Sequence, residues 1–271
     1  MIGHPVGQSL SPAMHSASFR ELGVDWTYEA VDCTVEGLGS FIAGVRSGSH
    51  AGLSVTMPLK EAIVPMLDRL DANATMLGAV NCVSVRGGTL VGHNTDGDGC
   101  ADALENEAGA VFEGSSAVVL GAGGTARSVV TALARRGASV RVINRTPTRA
   151  EEVVSLARRA VGDDADIATG TVRDIGRATV LVNTTSVGMN SDDSPVDPNA
   201  LHGDLVVLDA VYSPLDTALL RLARSAGART VDGLWMLVHQ ARHQQLLWFG
   251  RCAPAALMRT ESERELARRH K

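Results

Sequence analysis

The 271-residue sequence predicts an α/β protein of two domains, and three observations carry that reading. Short apolar, β-branched runs alternate with helix-like segments along most of the chain, the order that builds a parallel sheet covered by helices. One of these runs leads through a glycine-rich turn directly into a helix-like segment. Apolar residues make up 45% of the chain, ample for a buried core at this length.

The first domain is expected over residues 1–97. Ser11-Pro12 reads as an N-cap and first-turn pair that opens an amphipathic helix closed by Gly23. Trp26 to Asp32 alternates as a half-buried strand does. A helix over Val35 to Arg46, a short strand at Leu53-Ser-Val-Thr56, a helix from Pro58 and paired strands across Arg86-Gly-Gly-Thr89 complete an α/β unit.

The second domain, expected over residues 98–233, opens with a helix near Asp98. Ala117–Leu120, Val140–Ile143, Thr179–Asn183 and Leu205–Asp209 follow as strands separated by helical segments. Read as buried strands in strand-helix alternation, they predict a doubly wound parallel sheet. Asn190 to Pro195 is polar and reads as a loop. Leu234 to Phe249 is periodic and apolar, a helix expected to return to the first domain with the rest of residues 234–271. Glu261 to Lys271 mixes both charge signs and reads as a solvated helix end or tail.

Composition excludes several classes of function. With 25 Lys and Arg against 30 Asp and Glu, and no basic stretch, the chain lacks the clustered positive surface that nucleic-acid binding needs. Cys33, Cys82, Cys100 and Cys252 are scattered, with no metal knuckle or redox pair, which points to a reduced, cytoplasmic compartment. Neither a signal peptide nor a membrane-length apolar run is expected. Two metal patterns fail on inspection. His239 and His243 sit four apart but have no intervening general-base Glu and no evident third ligand. Asp96-Gly-Asp-Gly with Glu107 mimics a calcium loop, yet Ala101 stands where the turn needs Gly. No metal is expected.

The glycine turn is more specific. Val118-Val-Leu120 runs into Gly121-x-Gly123-x-x-Ala126 and then into Ser128 to Arg135, the strand, turn and helix order of a Rossmann-type dinucleotide site. Gly121 permits the tight turn, Gly123 lets the backbone approach a pyrophosphate at the helix N-terminus, and Ala126 allows close helix–strand packing. The second strand ends not in the acidic residue that would hold an unmodified ribose but in Asn144, Arg145 and Thr146, with Arg149 close behind. Two guanidiniums and a hydroxyl suit a 2′-phosphate, so NADP is the expected cofactor. The competing readings are a glycine turn with no ligand and a solvated helix start.

If a hydride is delivered to a carbonyl, a proton donor must stand at its oxygen. Lys60, in Gly52-Leu-Ser-Val-Thr-Met-Pro-Leu-Lys60, and Asp96, in Gly92-His-Asn-Thr-Asp96, are candidates for that donor and for the group that positions it. Taken singly, each has an ordinary alternative: Lys60 as a solvated helix lysine, Asp96 as an N-cap.

At these residues the chain resembles the shikimate dehydrogenase family over nearly its whole length. Gly3-His-Pro-Val-Gly-Gln-Ser-Leu-Ser-Pro-Ala-Met-His15 is similar to the family's substrate motif, which implies that Ser9 and Ser11 bond the substrate carboxylate. The segment ending at Lys60 resembles the motif of the catalytic lysine, with Thr56 a substrate contact. Gly78-Ala-Val-Asn81 and Asn94-Thr-Asp96 resemble the segments that supply an Asn for a ring hydroxyl and the lysine's aspartate partner. Gly121, Ala122, Gly123, Gly124 and Thr125, with Asn144 to Arg149, resemble the NADP turn and 2′-phosphate clamp. Asn183 to Met189 resembles the loop near the nicotinamide; Asp209-Ala-Val-Tyr212 implies a substrate contact at Tyr212 and a cofactor contact at Ala210. Gly233 and Met236-Leu-Val-His-Gln-Ala241 resemble the returning helix, from which Gln240 reaches the substrate.

The resemblance implies NADP-linked interconversion of 3-dehydroshikimate and shikimate in a site between the domains, with a homodimer left open. A quinate/shikimate dehydrogenase using NAD or NADP, and a non-catalytic NADP-binding sensor, are the alternatives. The chain departs from the family at Gln8, where many members have His, and at Cys82, where Thr is usual. The first strand also lacks residues that members usually have, and a start upstream of Met1 is left open.

Overall fold

The structure, a computed structural model, describes residues 1–189 and 191–269. Asn190 of the predicted loop and His270 and Lys271 of the predicted C-terminal segment lie outside the described residues. The chain divides into two compact units, Met1–Thr95 joined by the chain from Gln240 onward, and Asp96–His239.

The first unit begins with β1 (Ile2–Gly3), α1 (Ser11–Leu22), β2 (Val31–Asp32), α2 (Leu38–Gly44), β3 (Gly52–Ser54) and α3 (Leu59–Ala62). It continues through β4 (Arg69–Leu70), α4 (Ala72–Leu77), β5 (Cys82–Arg86) and β6 (Thr89–His93). The predicted hairpin across Arg86 to Thr89 joins β5 to β6 in antiparallel register; the four-stranded sheet has the order β3-β5-β6-β4. β1 and β2 form a separate parallel pair, touching the larger sheet's side of the unit through a bridge from Ile2 to Val55. Leu53, Val55, Leu59, Ile63, Val80, Val83 and Leu90 pack with Leu38 and Ile42 as its core.

Four expectations need correction here. Ser11 is the first helical residue of α1 and Leu10 holds the cap position; the Ser11 N–H bonds back to Ser9 Oγ at 3.2 Å, so Ser9 supplies the side chain there. Of the strand predicted over Trp26 to Asp32 only Val31–Asp32 is paired, because its ladder partner β1 spans only Ile2–Gly3. The helix predicted to Arg46 changes after Gly44 to a wide turn over Val45–Ser49. The helix from Pro58 lasts only over Leu59–Ala62.

The second unit runs α5 (Asp96–Ala108), β7 (Ser116–Leu120), α6 (Gly124–Arg135), β8 (Ser139–Ile143), α7 (Pro147–Val161), β9 (Ile167–Thr169) and α8 (Val172–Ile175). It then continues through β10 (Val180–Asn183), β11 (Val206–Asp209), α9 (Ala218–Ser225), β12 (Arg229–Val231) and the start of α10 (Gly233–Phe249). All six strands are parallel, in the order β12-β11-β10-β7-β8-β9. Successive residues of each strand feed opposite layers. Ala117 and Val119 of β7 join the core beneath α5, α6 and α7, while Val118 and Leu120 join the one holding Ile175, Leu219 and Leu220. The strand order reverses between β7 and β10, so the carboxyl ends of these two strands define the crevice where such sheets bind ligands.

α10 crosses the unit boundary, and α11 (Ala255–Arg269) follows it in the first unit. The segment from Glu261, read as a solvated end or tail, is the latter half of α11, which packs along α1 and buries Met258 and Ser262. No helix of the described residues is long and apolar enough to cross a membrane.

Candidate active site

In the first unit a chain of amides and hydroxyls links five separate segments. Tyr28 O–H donates to Ser54 Oγ at 2.6 Å, and Ser54 in turn donates to Gln244 Oε1 at 2.5 Å. Gln244 Nε2 donates to Gln240 Oε1 at 2.7 Å, the two glutamines being one turn apart on α10. Asn81 Nδ2 donates to Thr95 Oγ1 at 2.9 Å and to Gln240 Oε1 at 3.2 Å, while its Oδ1 accepts the Thr95 N–H at 2.8 Å. Asn81 is 2% exposed, so every one of these bonds is made away from water. Its backbone is pinned as well, accepting from Val55 and donating to His93.

Lys60 lies half-buried on α3, one strand connection away from that cluster. Its carbonyl accepts the Val80 N–H at 2.8 Å, which ties the lysine segment to the one carrying Asn81. Thr56 is half-buried too, its N–H on the Ile2 carbonyl at 2.9 Å. Ser11 is buried beside Tyr28. Burial pushes the Tyr28 phenol well above its usual range, against the pull of its bonds to Ser54 and Ser11, so it stays a neutral donor.

In the second unit Asp96 is the first residue of α5 and is buried. The glycine turn sits at the end of β7. Gly121 has φ +110°, and a Cβ there would stand 2.5 Å from Thr184 Oγ1, the first residue after β10. Thr184 in turn donates to the Leu120 carbonyl at 2.6 Å, closing the mouth of the crevice at its base. Above it there is room. A Cβ on Gly123 or Gly124 would meet nothing within 4 Å, and no side chain caps α6, whose first N–H groups are left for an anion.

The β8 end leads through Asn144, whose amide donates to the Thr146 carbonyl at 3.0 Å, into Pro147 at the start of α7. Arg145, Thr146 and Arg149 are all exposed there. These features fit a dinucleotide with a 2′-phosphate: open backbone for the pyrophosphate, cations at the second strand.

The loops after β10 and β11 are locked together by Asp209. Its Oδ1 accepts from Asn183 Nδ2 at 2.9 Å and from the Val211 N–H at 3.1 Å, and its Oδ2 from Thr217 at 2.7 Å. Burial raises the Asp209 pKa even against these three donors. Asn183 Oδ1 holds the N–H and hydroxyl of Thr185, so Tyr212 and the Thr184 to Met189 loop leave one fixed base. A Cβ on Gly233 would stand 2.5 Å from the Ala210 carbonyl oxygen, so α10 can begin here only without a side chain.

Two family models match the chain: the shikimate dehydrogenase substrate binding domain over residues 1–83, and shikimate / quinate 5-dehydrogenase over residues 103–183. The shikimate dehydrogenase (NADP(+)) of Methanopyrus kandleri is 44% identical, over 96% of this chain and 92% of its own. The chain belongs to the shikimate dehydrogenase family. Among solved members, the Thermus thermophilus shikimate 5-dehydrogenase in complex with NADP(H) and shikimate has a TM-score of 0.89, with 36% identity over 97% of each chain. The quinate dehydrogenase from Corynebacterium glutamicum in complex with NAD follows the same fold at a TM-score of 0.87, with 32% identity over 96% of each chain.

Within this family frame, the first unit brings Asn81 and Gln240 into direct contact and places Ser9, Ser11, Thr56 and Lys60 on neighbouring segments. The second unit gathers the glycine turn, Asn144 to Arg149, Ala210, Tyr212 and Gly233 at the carboxyl ends of β7, β8 and β11. Sequence reasoning missed Tyr28, Ser54, Thr95 and Gln244. Gln244 had a signal, one helical turn beyond Gln240; Ser54 had one too, two residues before Thr56 on an alternating strand. Tyr28 had none, since its partner lies 26 residues away in sequence.

Proposed function

We propose that this chain catalyses the reversible, NADP-linked interconversion of 3-dehydroshikimate and shikimate. The observation that carries the reading is the buried Asn81, Thr95, Gln240 and Gln244 cluster, with Asn81 next to Val80, whose N–H bonds the Lys60 carbonyl, on a chain that also has an open, arginine-flanked dinucleotide turn. A sensor that only bound NADP would need the turn alone. Ser9 and Ser11 are assigned to the substrate carboxylate, and Thr56, Asn81, Tyr212 and Gln240 to the rest of the ring. Asn144, Arg145, Thr146 and Arg149 are assigned to the 2′-phosphate, and Gly121, Ala122, Gly123, Gly124, Thr125, Ala210 and Gly233 to the remainder of the cofactor.

Bound NADPH supplies the hydride. Lys60 and Asp96 are the acid–base residues: in the reductive direction Lys60 gives the proton that turns the developing alkoxide into a hydroxyl, and in the oxidative direction it takes that proton back. The amide and hydroxyl cluster orients the ring so that one carbon faces the cofactor, which is where substrate binding becomes rate. The scattered, unpaired spacing of the four cysteines supports a reduced, cytoplasmic setting for this chemistry.

The test is an absorbance assay crossing shikimate and quinate with NADP and NAD. The shikimate and NADP pair is expected to give the highest kcat/KM; a faster rate with quinate or with NAD overturns the substrate or the cofactor assignment separately. Lys60→Ala is expected to lower kcat by roughly 10² to 10⁴ while the KM for shikimate stays within a few-fold. Near-normal turnover in that variant would remove Lys60 from the reaction.

A further inference from the structure

The Gln8-Ser9 peptide is held from outside by a residue some 260 positions away. Arg269, near the end of α11, donates from Nη1 to the Gln8 carbonyl at 2.6 Å and from Nη2 to the Ser9 carbonyl at 3.0 Å, with Gln8 Oε1 3.5 Å from Nη1. Its Nε donates to Glu265 Oε1 at 2.8 Å, one turn earlier on the same helix, which fixes the plane of the guanidinium. Within the loop itself, Ser9 N–H bonds the Val6 carbonyl at 3.0 Å and Ser11 N–H bonds Ser9 Oγ at 3.2 Å. Two consecutive carbonyls drawn to one rigid fork set the orientation of the Ser9 peptide plane. A lysine, with a single point of charge on a flexible stem, cannot span both in that geometry.

We infer that Arg269 is a positioning residue for the substrate's carboxylate: by clamping the Gln8 and Ser9 carbonyls it fixes where Ser9 and Ser11 present their hydroxyls. The inference rests on the assignment of those two serines to the carboxylate. It gives the C-terminal helix a part in substrate recognition beyond its packing along α1. The guanidinium side chain is 25% exposed and paired with Glu265, so its contribution is geometric more than a long-range attraction. It acts on binding of the anionic end of the ring; the hydride acceptor and the cofactor are handled by other residues.

The experiment compares Arg269→Ala, Arg269→Lys and Ser11→Ala in the full chain, with shikimate and with shikimate methyl ester, whose carboxyl carries no charge. Arg269→Ala is expected to raise the KM for shikimate roughly tenfold, the scale of a small misplacement of binding groups, with kcat and the KM for NADP within twofold. Arg269→Lys is expected to recover only part of that loss, and neither variant should penalise the methyl ester. If Ser11→Ala raises the KM for shikimate and Arg269→Ala does not, the clamp is overturned and the serine assignment stands. If neither variant moves it, the serine assignment has failed and the clamp falls with it. A fall in kcat together with a rise in both KM values and a lower Tm would mark Arg269 as a general staple, which also overturns the inference. Should Arg269→Ala not fold, Arg269→Lys decides: an unchanged KM for shikimate rules out any need for the two-pronged grip.

Discussion

His15 is wholly buried in the first unit, its ring stacked on Tyr28 at a centroid distance of 4.3 Å and Nδ1 within 3.2 Å of Gln245 Nε2. Burial, and secondarily the nearby N-terminal charge, push its pKa down from 6.5 to about 3. Between those values the unfolded chain takes up a proton that the folded chain refuses, so stability contributed by the neutral ring is present above pH 6.5 and drains away as the pH falls toward 3. His15→Phe keeps an aromatic face for Tyr28 and removes the titration. Its Tm should fall less steeply than the parent's between pH 6.5 and about pH 4, whatever its absolute stability; parallel slopes would show that His15 does not govern acid sensitivity. Arg145 makes a second prediction at this scale. A charge-assisted phosphate bond contributes about 1.5–3 kcal/mol, so Arg145→Ala should raise the KM for NADP by roughly 10- to 100-fold while leaving NAD kinetics nearly unchanged. An equal loss with both cofactors would place Arg145 elsewhere. Arg145 could be singled out for this role because residue type and spacing from the glycine turn together suggest a ligand. The Tyr28–Ser54 bond could not be read from sequence, because neither spacing nor type says that two distant segments meet at a hydrogen bond.

β7, β10 and β11 could be read from sequence because each is covered on both faces, so that nearly every residue must be apolar, and β8 because Val140 and Val142 alternate into the core while Ser139 and Arg141 are only half-buried. β4, β9 and β12 could not: two or three residues are too few for any periodicity, and they are strands only because a longer neighbour pairs with them. α10 could be read as a helix, but its exact start could not. That start is a packing decision, made where Gly233 meets the Ala210 carbonyl oxygen at the end of β11. Backbone atoms cannot yield as a side chain does, so Gly233→Ala must shift either the helix or the β11 loop. Overpacking of this kind costs about 1–3 kcal/mol, and the second unit's Tm should fall by roughly 3 to 10 °C. Because the same loop is assigned to the cofactor, the KM for NADP should rise as well. A variant with parental Tm and NADP kinetics would show that the close approach carries no cost.

At the scale of the whole molecule the fold leaves substrate choice open, since a quinate dehydrogenase and a shikimate dehydrogenase share it at nearly equal TM-scores. What the division into two units does predict is where each ligand's stabilisation is felt. The 2′-phosphate and pyrophosphate groups are all assigned to Asp96–His239, and the carboxylate and ring groups other than Tyr212 to the remainder. A ligand at about 100 times its Kd stabilises the structure it binds by about 2.7 kcal/mol, on the order of 10 °C for a unit of this size. Hydrogen exchange should therefore show NADP protecting amides of β7, β8 and the start of α6, and shikimate alone protecting amides of α1, β5 and the chain around Gln240. Calorimetry should show the corresponding transitions rise one at a time. Arg145→Ala should abolish the NADP-induced protection at a fixed, parent-saturating concentration without touching that induced by shikimate. If shikimate alone protected the glycine turn as strongly as NADP does, the division of labour between the units would be wrong, and the groups assigned to substrate would have to be sought in Asp96–His239 instead.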